Sequence, residues 1–93
     1  MAEVTKAQIQ VTATPTIEGW ACQAEIEDPA GTSRHLVEVT HAELRRFGAG
    51  RSPQELVQAS LRFLLQREPA RAILASFSLS DIEQYFPDFP ELV

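Results

Sequence analysis

A thiol and an imidazole on one sheet face are the smallest set from which nucleophilic catalysis can be built. This chain of 93 residues offers one cysteine and two histidines for it. Cys22 and His35 fall on strand positions whose alternation directs both side chains inward. The same face carries Ile9 and Val37, and a thiol packed among aliphatic side chains beneath a helix stays protonated and inert. Cys22 is therefore read as a structural residue, His35 as a residue at the edge of the core, and His41 as the first residue of a helix. A metal site drawn from His35, Glu38 and His41 fails on parity, because strand alternation sends Glu38 to the face opposite His35. A lone cysteine also excludes an intrachain disulfide and a multi-cysteine zinc cluster within one chain. The expectation is a protein that is not an enzyme, with no catalytic residue, no metal and no cofactor.

The charged residues are segregated along the chain. Residues 1–44 hold two basic and seven acidic groups, residues 45–71 hold six arginines against Glu55 and Glu68, and residues 72–93 hold four acids and no base. Arg45, Arg46, Arg51, Arg62, Arg67 and Arg71 would contact phosphates if they converged. Helical spacing does not bring them together: Arg62 lies on the polar face of its helix, and Arg67, five residues on, is turned away from it. No aromatic residues interleave with them as stacking on single strands requires. A solvated face paired with the acidic flanks is the favoured reading, and the net charge of −5 points the same way.

The elements that position these residues are legible from periodicity. Ala7, Ile9, Val11 and Ala13 alternate with polar residues from Lys6 to Thr14, the pattern of a half-buried strand. After Pro15, a second alternation puts Trp20, Cys22, Ala24 and Ile26 on one face. Asp28-Pro29-Ala30-Gly31 supplies a turn, and a third strand from Ser33 to Thr40 places His35, Val37 and Val39 inward. Turns centred near residues 15–16 and 29–30 set a register with Val11 opposite Trp20, Ile9 opposite Cys22, Cys22 opposite Val37 and Ala24 opposite His35. On the other face Lys6, Glu25 and Arg34 form a cross-strand charge ladder.

Three hydroxyl residues with an acid three positions on mark helix starts: Thr40 with Glu43, Ser52 with Glu55, and Ser80 with Glu83. The first helix runs from about His41 to Phe47 and stops at Gly48-Ala49-Gly50. The second opens on Pro53, a residue suited to a first helical turn, and runs to about Glu68. Its inner stripe is Leu56, Val57, Ser60, Leu61, Phe63 and Leu64. A brief helix over Ala70–Ser76, burying Ile73, Leu74 and Phe77, and another over Asp81–Phe86 follow. The prolines of residues 87–93 predict an irregular tail.

Two resemblances attach to these segments. Leu36-Val37-Glu38-Val39-Thr40 followed by Arg51-Ser52-Pro53-Gln54-Glu55-Leu56 looks partly like the ribbon and second helix of a ribbon-helix-helix module over residues 34–68. That resemblance implies a nucleic-acid-binding regulator with Arg51 and Arg62 as phosphate contacts. Residues 61–89, with Leu61-Arg62-Phe63-Leu64-Leu65-Gln66-Arg67-Glu68, Ile73-Leu74, Ser76-Phe77-Ser78-Leu79 and Tyr85-Phe86-Pro87, resemble the ends of short uncharacterised bacterial proteins, and this implies no activity.

The whole reads as one α+β domain over residues 1–93: a three-stranded antiparallel meander covered on one face by the helix at about 53–68, with shorter helices flanking it. No aliphatic run approaches the roughly 20 residues of a membrane span, and the first residues lack the basic start and apolar run of a secretory signal, so a cytoplasmic protein is expected. Tyr85, Phe86 and Phe89 gather apolar surface late in the chain, where few elements remain to cover it, and are the candidate partner-binding residues. The favoured function is a protein-interaction or regulatory module that binds a protein partner or a second copy of itself, with the nucleic-acid binder as the alternative.

Overall fold

In the computed structural model, which describes residues 7–93, the three alternating segments form β1 (Gln8–Pro15), β2 (Gly19–Asp28) and β3 (Gly31–Thr40). They pair as an antiparallel meander, and a short fourth strand, β4 (Ser76–Ser78), joins the far side of β3 in parallel. The inner face is the one the alternation predicts: Ile9, Cys22, Ala24, Ile26, Val37 and Val39 are buried.

The register between β2 and β3 agrees with expectation, Cys22 facing Val37 and Ala24 facing His35. That between β1 and β2 does not. Val11 faces Ala24 rather than Trp20, and Ile9 faces Ile26 rather than Cys22, a displacement of four residues. Pro15 is the last residue of β1, not part of the turn. The chain reverses over Thr16–Gly19, where the Thr16 N–H donates to Gly19 O at 2.8 Å and the Gly19 N–H to Thr16 Oγ1 at 3.1 Å. Moving a turn's centre by two residues shifts the register by four and leaves side-chain parity unchanged, so the inner face survives the error. Trp20 and Val11, whose inward positions predict that they are largely buried, are only half-buried. Lys6, the expected end of the charge ladder, lies outside the described residues; the Arg34–Glu25 rung forms at 3.1 Å. Gly19 has φ +157° and packs so closely that a Cβ would stand 2.0 Å from Val39 O, a position only glycine fits.

Helix α1 (His41–Phe47) opens on a complete capping box between Thr40 and Glu43, and α2 (Pro53–Leu65) on one between Ser52 and Glu55. Regular helix ends at Leu65, three residues short of Glu68, although the Glu68 N–H still bonds Leu64 O at 2.9 Å. The predicted stripe of α2, from Leu56 to Leu64, is buried against β1 and β2. The Ser60 hydroxyl buried within it donates to Leu56 O at 2.8 Å, which removes the cost of enclosing an unpaired polar group.

The rest of the chain departs from the sequence reading. Ala70–Ala72 is a single 3-10 turn, and the segment beyond it is β4 rather than helix. Helix α3 (Leu79–Tyr85) begins earlier than Asp81, with Ser78 as the cap, its N–H bonded to Asp81 Oδ2 at 3.0 Å. Ser80 does not cap, because its N–H and hydroxyl both donate to Glu43 Oε2, at 3.0 and 2.6 Å. Residues 89–92, expected to be irregular, form one turn of helix, α4 (Phe89–Leu92). Pro90 stands at its start, where a missing N–H breaks no helical bond.

Candidate functional site

Both outer edges of the meander are partly occupied. On β1, the amide of Gln54 donates to Val11 O and that of Gln58 to Ile9 O, both at 3.2 Å, so α2 occupies carbonyls of that edge. On β3, β4 pairs with Leu36–Glu38. A ribbon-helix-helix ribbon pairs with a second chain, whereas this segment already has β2 along its whole length and β4 beside Leu36–Glu38. Of the two arginines proposed to meet phosphates, Arg51 donates from Nη2 to Val93 O at 2.6 Å, and Arg62 is exposed on α2.

Three of the six arginines of the middle third, Arg46, Arg51 and Arg67, instead contact the C-terminal residues of the chain. Arg46 makes a two-pronged contact with Glu83, Nη1 to Oε1 at 2.6 Å and Nη2 to Oε2 at 2.5 Å. This raises the Arg46 pKa and holds the Glu83 carboxyl below its ordinary value, chiefly through the side-chain hydrogen bonds. Arg67 lies 3.6 Å from Asp88 and stacks on the Phe63 ring at 3.7 Å. Together with Arg51 at Val93, these contacts tie residues 83, 88 and 93 to the body of the molecule.

The three C-terminal aromatics separate into different roles. Phe89 is fully buried, with its ring 5.2 Å from those of both Phe47 and Phe63, so it belongs to the core of its own chain and is not free to dock elsewhere. Phe86 is half-buried, edge-on to Phe63 at 5.9 Å. Tyr85 is 70% exposed. Beside it opens a groove of about 270 Å³ walled by Leu64, Ile73, Phe77, Ile82 and Phe86, with Leu74 and Tyr85 on its rim.

Leu74, expected in the core, is 54% exposed, and the backbone around it explains why. His35 Nδ1 lies 2.7 Å from Leu74 O. A carbonyl only accepts, so Nδ1 donates to it, and Nε2 lies 2.9 Å from the Ser33 hydroxyl. One residue on, Ala75 O accepts from the Leu36 N–H at 2.7 Å. The main chain is thus pinned immediately after a side chain left in solvent. Nothing local in the sequence marks this: it requires the parallel pairing of β4, which links residues forty apart.

Cys22 and His35 share the buried sheet face as diagonal neighbours, and the hydrogen bonds of His35 go to Ser33 and Leu74 rather than to the thiol. Cys22 is fully buried, and burial pushes its thiol up to about 11. Both ring nitrogens of His35 are engaged with Leu74 and Ser33, and His41 packs edge-on against Trp20 at 4.9 Å. Glu38 is exposed on the outer sheet face. Among the described residues no group of three metal-ligating side chains converges, and no helix is long and apolar enough to cross a membrane. No family model, no curated protein and no solved structure matches this chain.

Proposed function

We propose that the protein is a non-enzymatic interaction module that binds a protein partner through the groove between the end of α2, the Ile73–Phe77 segment and α3. The observation that carries this reading is the pair Leu74 and Tyr85, two large side chains held in solvent on the rim of a largely apolar groove. Scattered exposed apolar residues are ordinary; two that flank one apolar groove form a contiguous patch, which is what marks an interaction surface. A tyrosine at such a rim supplies large contact area with little rotamer entropy to lose, the property that makes aromatics interface anchors. The outer sheet face offers no comparable surface, since Gln10, Thr12, Gln23 and Glu25 make it polar.

Photo-crosslinking in the native cell tests this. A crosslinking amino acid at position 85 is expected to trap a protein, and the same residue at position 12, on the outer sheet face, is not. Replacing Leu74 with Ser in the position-85 variant should abolish the product without changing the unfolding midpoint. Trapping from position 12 alone, or from neither position, overturns the proposal.

A further inference from the structure

The groove is not only apolar. Glu68, three residues beyond the end of α2, and Asp81, in α3, both stand on its lining. Asp81 uses Oδ2 to accept from the Ser78 N–H, which leaves its other oxygen without an assigned donor, and Glu68 forms no ion pair among the described residues. Among the described residues no basic side chain lines the groove. Arg67, near its Phe86 end, is committed to Asp88 and to the Phe63 ring, and Arg71 lies in a different cleft, beside Asp28 and Gly31.

We infer that the groove accepts an amphipathic segment of another protein in which apolar anchor residues are flanked by lysine or arginine. This rests on the interaction reading above and adds the chemistry of the partner. Three considerations select that occupant. A groove of about 270 Å³ is at or below the lower end of small-molecule sites, and it suits the anchor side chains of a helix laid across it. An acidic rim around an apolar floor attracts cationic flanks and repels anionic ones, so charge decides between partners with equal apolar content. A second copy of this chain is the wrong complement. A two-fold contact through this face would bring two copies of an acidic surface together, with no basic side chain of the groove to pair Glu68 or Asp81, and residues 72–93 carry four acids and no base.

The test uses three synthetic helical peptides, each about 14 residues or four turns long, with Leu and Phe at i, i+3 and i+7. Their flanking positions carry Lys, Gln or Glu. Binding is followed by fluorescence anisotropy and by shifts of the Leu74 and Tyr85 NMR signals. The Lys peptide should bind roughly three- to thirtyfold tighter than the Gln peptide at low salt, the range expected of two exposed ion pairs, and the Glu peptide weakest. The preference should narrow at high salt, and Glu68→Gln should reduce it. Glu68 makes no internal ion pair, so that variant is expected to fold; Asp81→Asn, checked by circular dichroism, should reduce the preference further. Equal binding of all three peptides overturns the basic-partner inference while leaving the interaction module standing. If none of them shifts Leu74 or Tyr85 at millimolar concentration, both fall. Dimerisation through the groove, seen as concentration-dependent shifts of the same signals without peptide, overturns the inference in favour of a second copy.

Discussion

Phe89 and Tyr85 are four residues apart and do opposite things. Phe89 fills the space between α1 and α2, its ring against Phe47 and Phe63, and it is fully buried. Removing that ring leaves a cavity that neighbouring rings cannot close, so Phe89→Ala should lower stability by about 3–5 kcal/mol. Tyr85 has little to lose within the monomer, and Tyr85→Ala should stay within about 0.5 kcal/mol of wild type. Urea denaturation of the two variants checks the contrast; comparable losses would place Tyr85 in the core. Cys22 offers a second check at this scale. Its thiol is held up to about 11 by burial, so at neutral pH it should react with thiol reagents at the rate of global unfolding. Because the folded pKa lies above the ordinary 9.0, this group's contribution to stability is complete below pH 9 and declines as pH rises toward 11. Cys22→Ala should lack that decline, measured as the difference in unfolding midpoint between pH 8 and pH 10.5. Fast labelling of the native state, or identical alkaline profiles, would refute the buried thiol.

At the scale of elements, Glu43 joins what the chain order separates. One carboxylate oxygen accepts from the Thr40 N–H at the start of α1, and the other from the N–H and hydroxyl of Ser80 in the first turn of α3. Glu43→Ala leaves donors at both helix starts without partners and should cost about 1–3 kcal/mol, with α3 losing amide protection from exchange before β2 does. Equal protection of α3 in both proteins would show that Glu43 serves α1 alone. This junction also shows what the sequence can and cannot reveal. Thr40 with Glu43 is a local signal and α1 begins where it says. Ser80 with Glu83 is the same signal, yet both partners are claimed from afar, Ser80 by Glu43 and Glu83 by Arg46. The meander's faces, the helix stripe and the first two helix starts are set by neighbours within a few residues, and these were legible. The β1–β2 register was not, because a turn displaced by two residues preserves parity. Nor was β4, whose three residues have no periodicity to detect. The groove depends on β4, so Tyr85 and Phe86 are legible as candidate contacts and Leu64, Ile73 and Phe77 as apolar residues, while the exposure of Leu74 and the place of Glu68 and Asp81 on the lining are not.

Across the whole molecule, the segregation of charge along the chain corresponds to a contact between its parts. Three arginines of the middle third, Arg46, Arg67 and Arg51, reach Glu83, Asp88 and Val93, and Phe89 is buried in the core between those points. The end of the chain is therefore structural, and deleting residues 87–93 should unfold or severely destabilise the protein rather than merely release a partner. The electrostatic share of this attachment has a definite pH signature. Hydrogen bonds from Arg46 hold the Glu83 carboxyl below its ordinary pKa of 4.5. A folded value below the unfolded one means that the native state binds the proton less well. The contribution is then fully present above pH 4.5 and is lost as pH falls through the lowered folded value. Glu83→Gln should accordingly unfold at lower urea than wild type at pH 7 and at pH 5.5, with the difference shrinking below pH 4 as the wild-type carboxyl is protonated. Both side chains lie at the surface, so the gap should be modest and should also narrow in high salt. Arg46→Gln should reproduce the same profile, and the double variant should add little to either single change, as expected of two residues acting through one contact. A gap that is independent of pH and salt, or two effects that simply add, would show that Glu83 and Arg46 stabilise the fold separately and that the acidic end is held by Phe89 alone.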